Sequence, residues 1–220
     1  MHQAAELVLK EKIVVIIRRV YGSQLEDLVG ALFEGGMRLV EVTFDQADPE
    51  CEARTAGALE ALTRLFGGRM AIGAGTVLTP EQADVAHGAG AQFIVSPNVD
   101  ADVILRTKAL GMASVPGAMT PSEILTAHKL GADVVKVFPA GDLGLAWFKS
   151  IRAPITHVRM LATGGVTEDN FADYLAAGYA GAGISGRLTE KALLDRGGFA
   201  EFTLRARAFR DIAARHAAKG

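Results

Sequence analysis

Residues 70–96 read MAIGAGTVLTPEQADVAHGAGAQFIVS, one complete unit of the fold. Met70–Ala74 is an apolar run of strand length. Thr79-Pro80-Glu81-Gln82 then supplies a capping hydroxyl, a proline at the first helical position and a glutamine at the third. The helix it starts spans Pro80–His87 and meets a stop at Gly88. Gln92–Ser96 is apolar again. Strand, helix, strand is the β-α-β unit, whose right-handed crossover leaves its two strands parallel.

The alternation extends in both directions. Further strands are expected at Ile13–Arg18, Arg38–Phe44, Ala113–Val115, Asp133–Phe138, Val158–Thr163 and Gly181–Ile184, which makes eight. Further helices are expected at Gln24–Glu34, Glu50–Leu65, Asp100–Leu110, Pro121–Leu130, Leu143–Ile151 and Glu168–Ala176. Thr120-Pro121-Ser122-Glu123 repeats the capping pattern, and Gly35, Gly111, Gly131 and Gly178 stand at helix ends. Eight β-α units in roughly 200 residues point to a closed (β/α)8 TIM barrel of the α/β class. An open doubly wound sheet would carry Gly-x-Gly-x-x-Gly after its first strand, where this chain has Arg18-Arg19-Val20-Tyr21-Gly22. No linker or low-complexity stretch divides the chain. One domain is expected over residues 1–220, with a barrel core over 13–188 and a C-terminal helix over 199–219.

Bulk composition narrows the function. Half the residues are apolar and 22% are charged, which suits a compact globule. A formal net charge of -2 argues against a nucleic-acid partner, which wants a basic face. The lone Cys51 excludes an intrachain disulfide framework and a cysteine-only zinc site. No apolar stretch approaches the ~20 residues needed to cross a bilayer, so no membrane partner is expected. The segment Met1–Lys12 carries Glu6, Lys10, Glu11 and Lys12 and lacks the apolar core of a signal peptide. A cytoplasmic location is expected.

Barrels of this kind do their chemistry at the carboxyl ends of the strands. Polar residues that interrupt apolar strands are therefore informative. Lys136 sits in Val134-Val135-Lys136-Val137-Phe138-Pro139. Burial disfavours its cation and lowers its pKa, and a neutral amine attacks a ketone to form a Schiff base. The plainer reading is a lysine that snorkels or pairs with a carboxylate. Glu41 sits in Leu39-Val40-Glu41-Val42-Thr43, on one face with Leu39 and Thr43. A buried carboxyl of raised pKa shuttles protons near neutrality; a structural partner for Lys136 or Arg18 is the alternative. Arg18 ends the first strand, placed to hold a carboxylate or phosphate. Arg19 points the other way and reads as a surface charge. Gly73-Ala74-Gly75-Thr76 lets backbone approach a ligand beside a hydroxyl, or is a simple turn. Ser96-Pro97-Asn98 and Pro116-Gly117 are similar in kind. Thr163-Gly164-Gly165 before a helix start, and Ser185-Gly186 after the last strand, read as a backbone anion site. The histidines show no metal-ligand spacing, so neither a metal nor a cofactor is expected.

Five segments now fall in order: Glu-Val-Thr at 41–43, Gly-Ala-Gly-Thr-Val-Leu at 73–78, Phe-Ile-Val-Ser-Pro-Asn at 93–98, Val-Lys-Val-Phe-Pro at 135–139 and Thr-Gly-Gly-Val at 163–166. Together they resemble the 2-keto-3-deoxy-6-phosphogluconate (KDPG) / 4-hydroxy-2-oxoglutarate (KHG) aldolase family, with the related 2-keto-3-deoxy-6-phosphogalactonate aldolases. The resemblance covers about Ile13–Leu188. It implies a metal-independent class I aldolase that cleaves a 2-keto-3-deoxy sugar acid to pyruvate and an aldehyde. It makes Lys136 the imine former and Glu41 the acid/base. Thr76 falls near the pyruvyl carboxylate, Gly164 and Gly165 on the phosphate, and Arg18, Pro97 and Phe138 along the substrate. It also implies a homotrimer. Two positions depart from the pattern. Some members follow Glu-Val-Thr with Leu-Arg, which grips the substrate carboxylate; here Phe44-Asp45 puts an anion there, able to hydrogen-bond substrate hydroxyls. The family's Gly-Ser after the last strand is Ser185-Gly186, one residue out of step. The alternatives are a phosphate-binding isomerase or epimerase, and a sugar-acid binding protein without activity.

Overall fold

The computed structural model describes residues 2–218. Its strands are β1 Ile13–Ile17, β2 Leu39–Thr43, β3 Ala71–Gly75, β4 Phe93–Val95, β5 Ala113–Val115, β6 Gly117–Ala118, β7 Val135–Val137, β8 Met160–Thr163 and β9 Gly181–Ile184. All pair in parallel, in the order β5-β4-β3-β2-β1-β9-β8-β7-β6. β5 and β6 are two halves of one barrel stave, parted at Pro116, whose ring nitrogen has no proton for a ladder bond. β5 pairs with β4 and β6 with β7. The Lys136 amide donates to the Pro116 carbonyl at 2.8 Å, and that of Asp133 to Ser114 at 2.9 Å. The two ends of the sheet thus meet and the barrel closes, so nine segments fill the eight expected positions. Pro116-Gly117, expected as loop, begins the second half-stave.

Helices α1 Gln3–Glu11, α2 Gly22–Glu34, α3 Cys51–Phe66, α4 Pro80–Gly88, α5 Ala101–Ala109, α6 Pro121–Lys129, α7 Ala140–Arg152, α8 Phe171–Ala177, α9 Lys191–Asp195 and α10 Phe199–Ala217 complete the chain. The expected closing helix is α10; its expected last residue, Lys219, lies outside the described residues. Among the described residues no helix is long and apolar enough to cross a membrane.

Two apolar clusters divide the barrel wall between them. Outward residues such as Val40, Val42, Val135 and Val137 pack under the helices. Inward residues Val14, Leu39, Ala71, Phe93, Val115, Val134 and Leu161 fill the interior. α1 was not expected from the sequence. It closes the amino end, where Ala4, Ala5 and Val8 join the interior cluster. His2 caps it by accepting from the Ala4 amide at 3.1 Å. α10 folds back across α2 closely enough that a Cβ on Gly35 would stand 2.4 Å from that of Ala206. The plugged amino end leaves the carboxyl end open.

Candidate active site

Strand alternation sends Lys136 and Glu41 into the barrel from opposite sides. The neighbours of each in sequence face the helices, so the polar residue faces the interior. Lys136 is 5% exposed and Glu41 2%. Burial pushes the Lys136 ammonium below its ordinary pKa, with Arg18 adding to the effect and Glu41 opposing it. Burial pushes the Glu41 carboxyl up, while Lys136 and Arg18 pull it down. Each group is therefore biased toward its neutral form. Among the described residues no ion pair joins them. The Lys136 Nζ lies 5.0 Å from the centre of the Phe138 ring instead. A neutral amine with no carboxylate partner keeps its lone pair for an electrophile.

Missing side chains make room around the pair. A Cβ on Gly75 would stand 2.7 Å from Glu41 Oε1, and one on Gly183 2.8 Å from Thr163 Oγ1. A small cavity bounded by Ile16, Glu41, Lys136, Thr163 and Gly183 lies between them. The Thr163 hydroxyl is buried there without a hydrogen-bond partner, which costs free energy until a ligand supplies one. A wider cleft of about 310 Å³ opens from this point between β1, β8 and β9, lined by Arg18, Phe138, Thr163, Gly164, Gly165 and Ser185 among others. Arg18 is exposed and donates from Nη1 to Ser185 Oγ at 2.9 Å.

The fold agrees with known proteins to which the chain is similar. The model of the family described as KDPG and KHG aldolase matches residues 5–204. This chain belongs to the KDPG and KHG aldolase family. It is 35% identical over 180 residues to 2-dehydro-3-deoxy-6-phosphogalactonate aldolase of Escherichia coli K12, covering 81% of this chain and 85% of that protein. It is 41% identical over 152 residues to 2-dehydro-3-deoxy-phosphogluconate aldolase of Treponema pallidum, covering 68% of each. The solved KDPG aldolase of Legionella pneumophila, with pyruvate captured as a covalent carbinolamine, superposes with a TM-score of 0.83 at 26% identity, over 94% of this chain and 98% of that one. The chain is an aldolase, a lyase.

Within this aldolase the residues singled out from the sequence gather at the carboxyl end of the barrel. Lys136, Glu41, Arg18, Phe138, Gly164, Gly165, Ser185 and Gly186 line the inner cavity or the cleft. Thr76 follows β3 with a φ of +56°. Pro97 sits against Gly117, where a Cβ would meet the Pro97 carbonyl oxygen at 2.3 Å.

Three findings refine the sequence reading. First, Asp45 is not a bare anion at the mouth. Arg19 grips it through two hydrogen bonds of 2.6 and 3.1 Å, and the Ala47 amide adds a third of 3.3 Å. Arg19 is exposed, as a surface charge should be, but a φ of +55° turns it out of strand alternation and onto Asp45. Second, the helix expected from Glu168 begins at Phe171. The Asn170 side chain folds back to accept from the Thr167 amide at 2.8 Å and to donate to the Gly165 carbonyl at 2.9 Å. The Gly164-Gly165 turn is thus followed by loop backbone and not directly by α8. Among the described residues the amides of Gly165 and Val166 donate to nothing. Third, Thr163, read from the sequence only as the strand end before the two glycines, turns its hydroxyl into the inner cavity. The clue was its spacing from Leu161, whose inward direction puts Thr163 inward as well.

Proposed function

We propose that this aldolase cleaves a 6-phosphorylated 2-keto-3-deoxy sugar acid, of the phosphogluconate or phosphogalactonate type, to pyruvate and glyceraldehyde 3-phosphate through a Schiff base on Lys136. The observation that carries the reading is the buried, unpaired Lys136 beside a buried, unpaired Glu41 at the floor of an open cleft. The neutral amine attacks the C2 carbonyl, and a proton moves from nitrogen to oxygen to give a carbinolamine. Glu41 donates a proton to the departing hydroxyl, water leaves and a protonated imine forms. Loss of the C4 hydroxyl proton to Glu41 breaks the C3–C4 bond. Its electron pair flows into the imine, the aldehyde departs and an enamine remains. Protonation at C3 by Glu41 and hydrolysis of the imine release pyruvate and restore Lys136. The imine is the electron sink, so this route needs no metal.

Other residues place the substrate. Thr76 and Arg18 take the carboxylate end and the free loop amides of Gly165 and Val166 take the phosphate; the unpartnered Thr163 hydroxyl is available to a substrate hydroxyl. Asp45 and Arg19 neutralise one another at the rim, which leaves a substrate anion to Arg18 and the backbone. The names of the relatives support the phosphorylated substrate. A homotrimer working in the cytoplasm, with Cys51 reduced, completes the proposal; light scattering on the purified protein gives its subunit number.

Borohydride reduction in the presence of pyruvate, followed by peptide mapping, tests the chemistry. A pyruvate adduct on Lys136 is the expected result. A folded protein that yields no adduct there refutes the Schiff-base reading. Comparing kcat/KM for phosphorylated and free sugar acids tests the phosphate site.

A further inference from the structure

Thr76 holds a conformation that its side chain resists. A φ of +56° lies in the left-handed region, which β-branched residues rarely enter. Two glutamines grip the backbone there. Gln46, on the loop after β2, donates from Nε2 to the Thr76 carbonyl at 2.9 Å. Gln82, in the first turn of α4, donates from Nε2 to Gln46 Oε1 at 3.0 Å. Its own Oε1 accepts from the Leu78 amide at 2.8 Å and from Gln46 Nε2 at 3.4 Å. Gln82 is 5% exposed, so water does not readily replace these bonds.

The comparison with α6 shows what Gln82 gives up. Both helices start Thr-Pro-x-Glu/Gln. In α6, Glu123 completes a capping box by accepting from the Thr120 amide. In α4, Thr79 accepts from the Gln82 amide, but the Gln82 side chain turns instead to Leu78 and Gln46. Only an amide serves this arrangement, because it must accept from Leu78 and donate to Gln46 through one group.

We infer that Gln46 and Gln82 are positioning residues for Thr76. The paired amides hold its backbone in the left-handed conformation and so aim its hydroxyl at the substrate carboxylate. The inference rests on the reading of Thr76 as a carboxylate ligand given above.

Exchange of the pyruvate methyl protons in deuterated water, followed by NMR, tests it without the aldehyde partner. Gln46→Ala, at an exposed position, and Gln82→Glu, which keeps the length of the side chain, should each raise the KM for pyruvate about tenfold, the order of one lost hydrogen bond. The kcat for exchange should stay within about threefold, since Lys136 and Glu41 are untouched. Thr76→Gly supplies the decisive background. Glycine adopts a positive φ unaided and lacks the hydroxyl, so Thr76→Gly should itself raise KM, and Gln46→Ala should then add nothing. An unchanged KM in Thr76→Gly refutes the carboxylate-ligand reading. A raised KM in Thr76→Gly with normal values in Gln46→Ala and in folded Gln82→Glu refutes the role of the glutamines. Equal effects of Gln46→Ala in both backgrounds, or a loss of kcat alone, show action by another route and overturn the inference. Should Gln82→Glu fail to fold, Gln46→Ala carries the test.

Discussion

Replacing Gly75 by alanine sets a methyl group against the Glu41 carboxyl. The new Cβ would stand 2.7 Å from Oε1, 2.9 Å from Cδ and 3.0 Å from Thr43 Cγ2. Ordinary carbon contacts lie at about 3.5–4.0 Å. The carboxyl must therefore retreat by roughly 1 Å, and a misplacement of that size costs on the order of a hundredfold in rate. The backbone raises no objection, since Gly75 has no positive φ. Overpacking should cost about 1–3 kcal/mol of stability, which the fold survives. Steady-state cleavage, read through the pyruvate released, should show kcat reduced about a hundredfold. Circular dichroism should still give a cooperative melt a few degrees lower. Glu41→Asp in the same chain shortens the acid by one methylene and relieves the clash. Gly75→Ala should then cost less on top of Glu41→Asp than it does alone. Unaltered kcat in Gly75→Ala, with only the melt displaced, would refute the view that the position of Glu41 limits catalysis.

Lys136→Met should abolish cleavage and borohydride trapping while stabilising the fold by about 1–3 kcal/mol, since a desolvated amine gives way to an apolar side chain of similar length. The sign of its pH dependence follows from the lowered pKa. The unfolded chain holds the lysine proton up to about 10.5 and the folded chain gives it up earlier, so the wild type gains stability as pH rises through that window. The melting advantage of Lys136→Met should therefore shrink as pH rises toward about 10.5; an advantage that grows would show that Lys136 is not buried as a poor cation. Arg18→Met removes a cation that lowers the pKa of both Lys136 and Glu41. Both limbs of the pH profile of kcat/KM should move to higher pH, and limbs that stay in place would remove Arg18 from the electrostatics of the site. Gly165→Ala meets a φ of +78° and places a Cβ 2.9 Å from the Gly141 Cα. It should lower stability by about 2 kcal/mol and raise KM for phosphorylated more than for free sugar acids; equal effects on the two would place the phosphate elsewhere.

The interior of this aldolase was legible because its signals are local. A lysine and a glutamate amid Val, Leu and Phe in short strands declare their own burial, and strand alternation gives their direction. The alternation of strands and capped helices gave the barrel, and the order of five segments gave the family. The amino-terminal plug was missed because α1 is only nine residues long and its buried face, Ala4, Ala5, Val8 and Glu11, mixes small residues with a charge. The rim was illegible for another reason: its contacts join residues far apart in the chain. Arg18 reaches Ser185, Arg19 reaches Asp45 and Gln46 reaches Thr76. These links run in succession from the loop after β9, across those after β1 and β2, to the loop after β3. Two of them depend on Arg19 and Thr76 leaving strand geometry for a positive φ, which period-two reasoning cannot anticipate. The shift to Ser185-Gly186 and the anion at Asp45, departures when read along the sequence, each have a partner in this belt. Substitutions in the belt leave the barrel core untouched, so they should alter which substrate the aldolase accepts more than whether the chain folds or forms its imine.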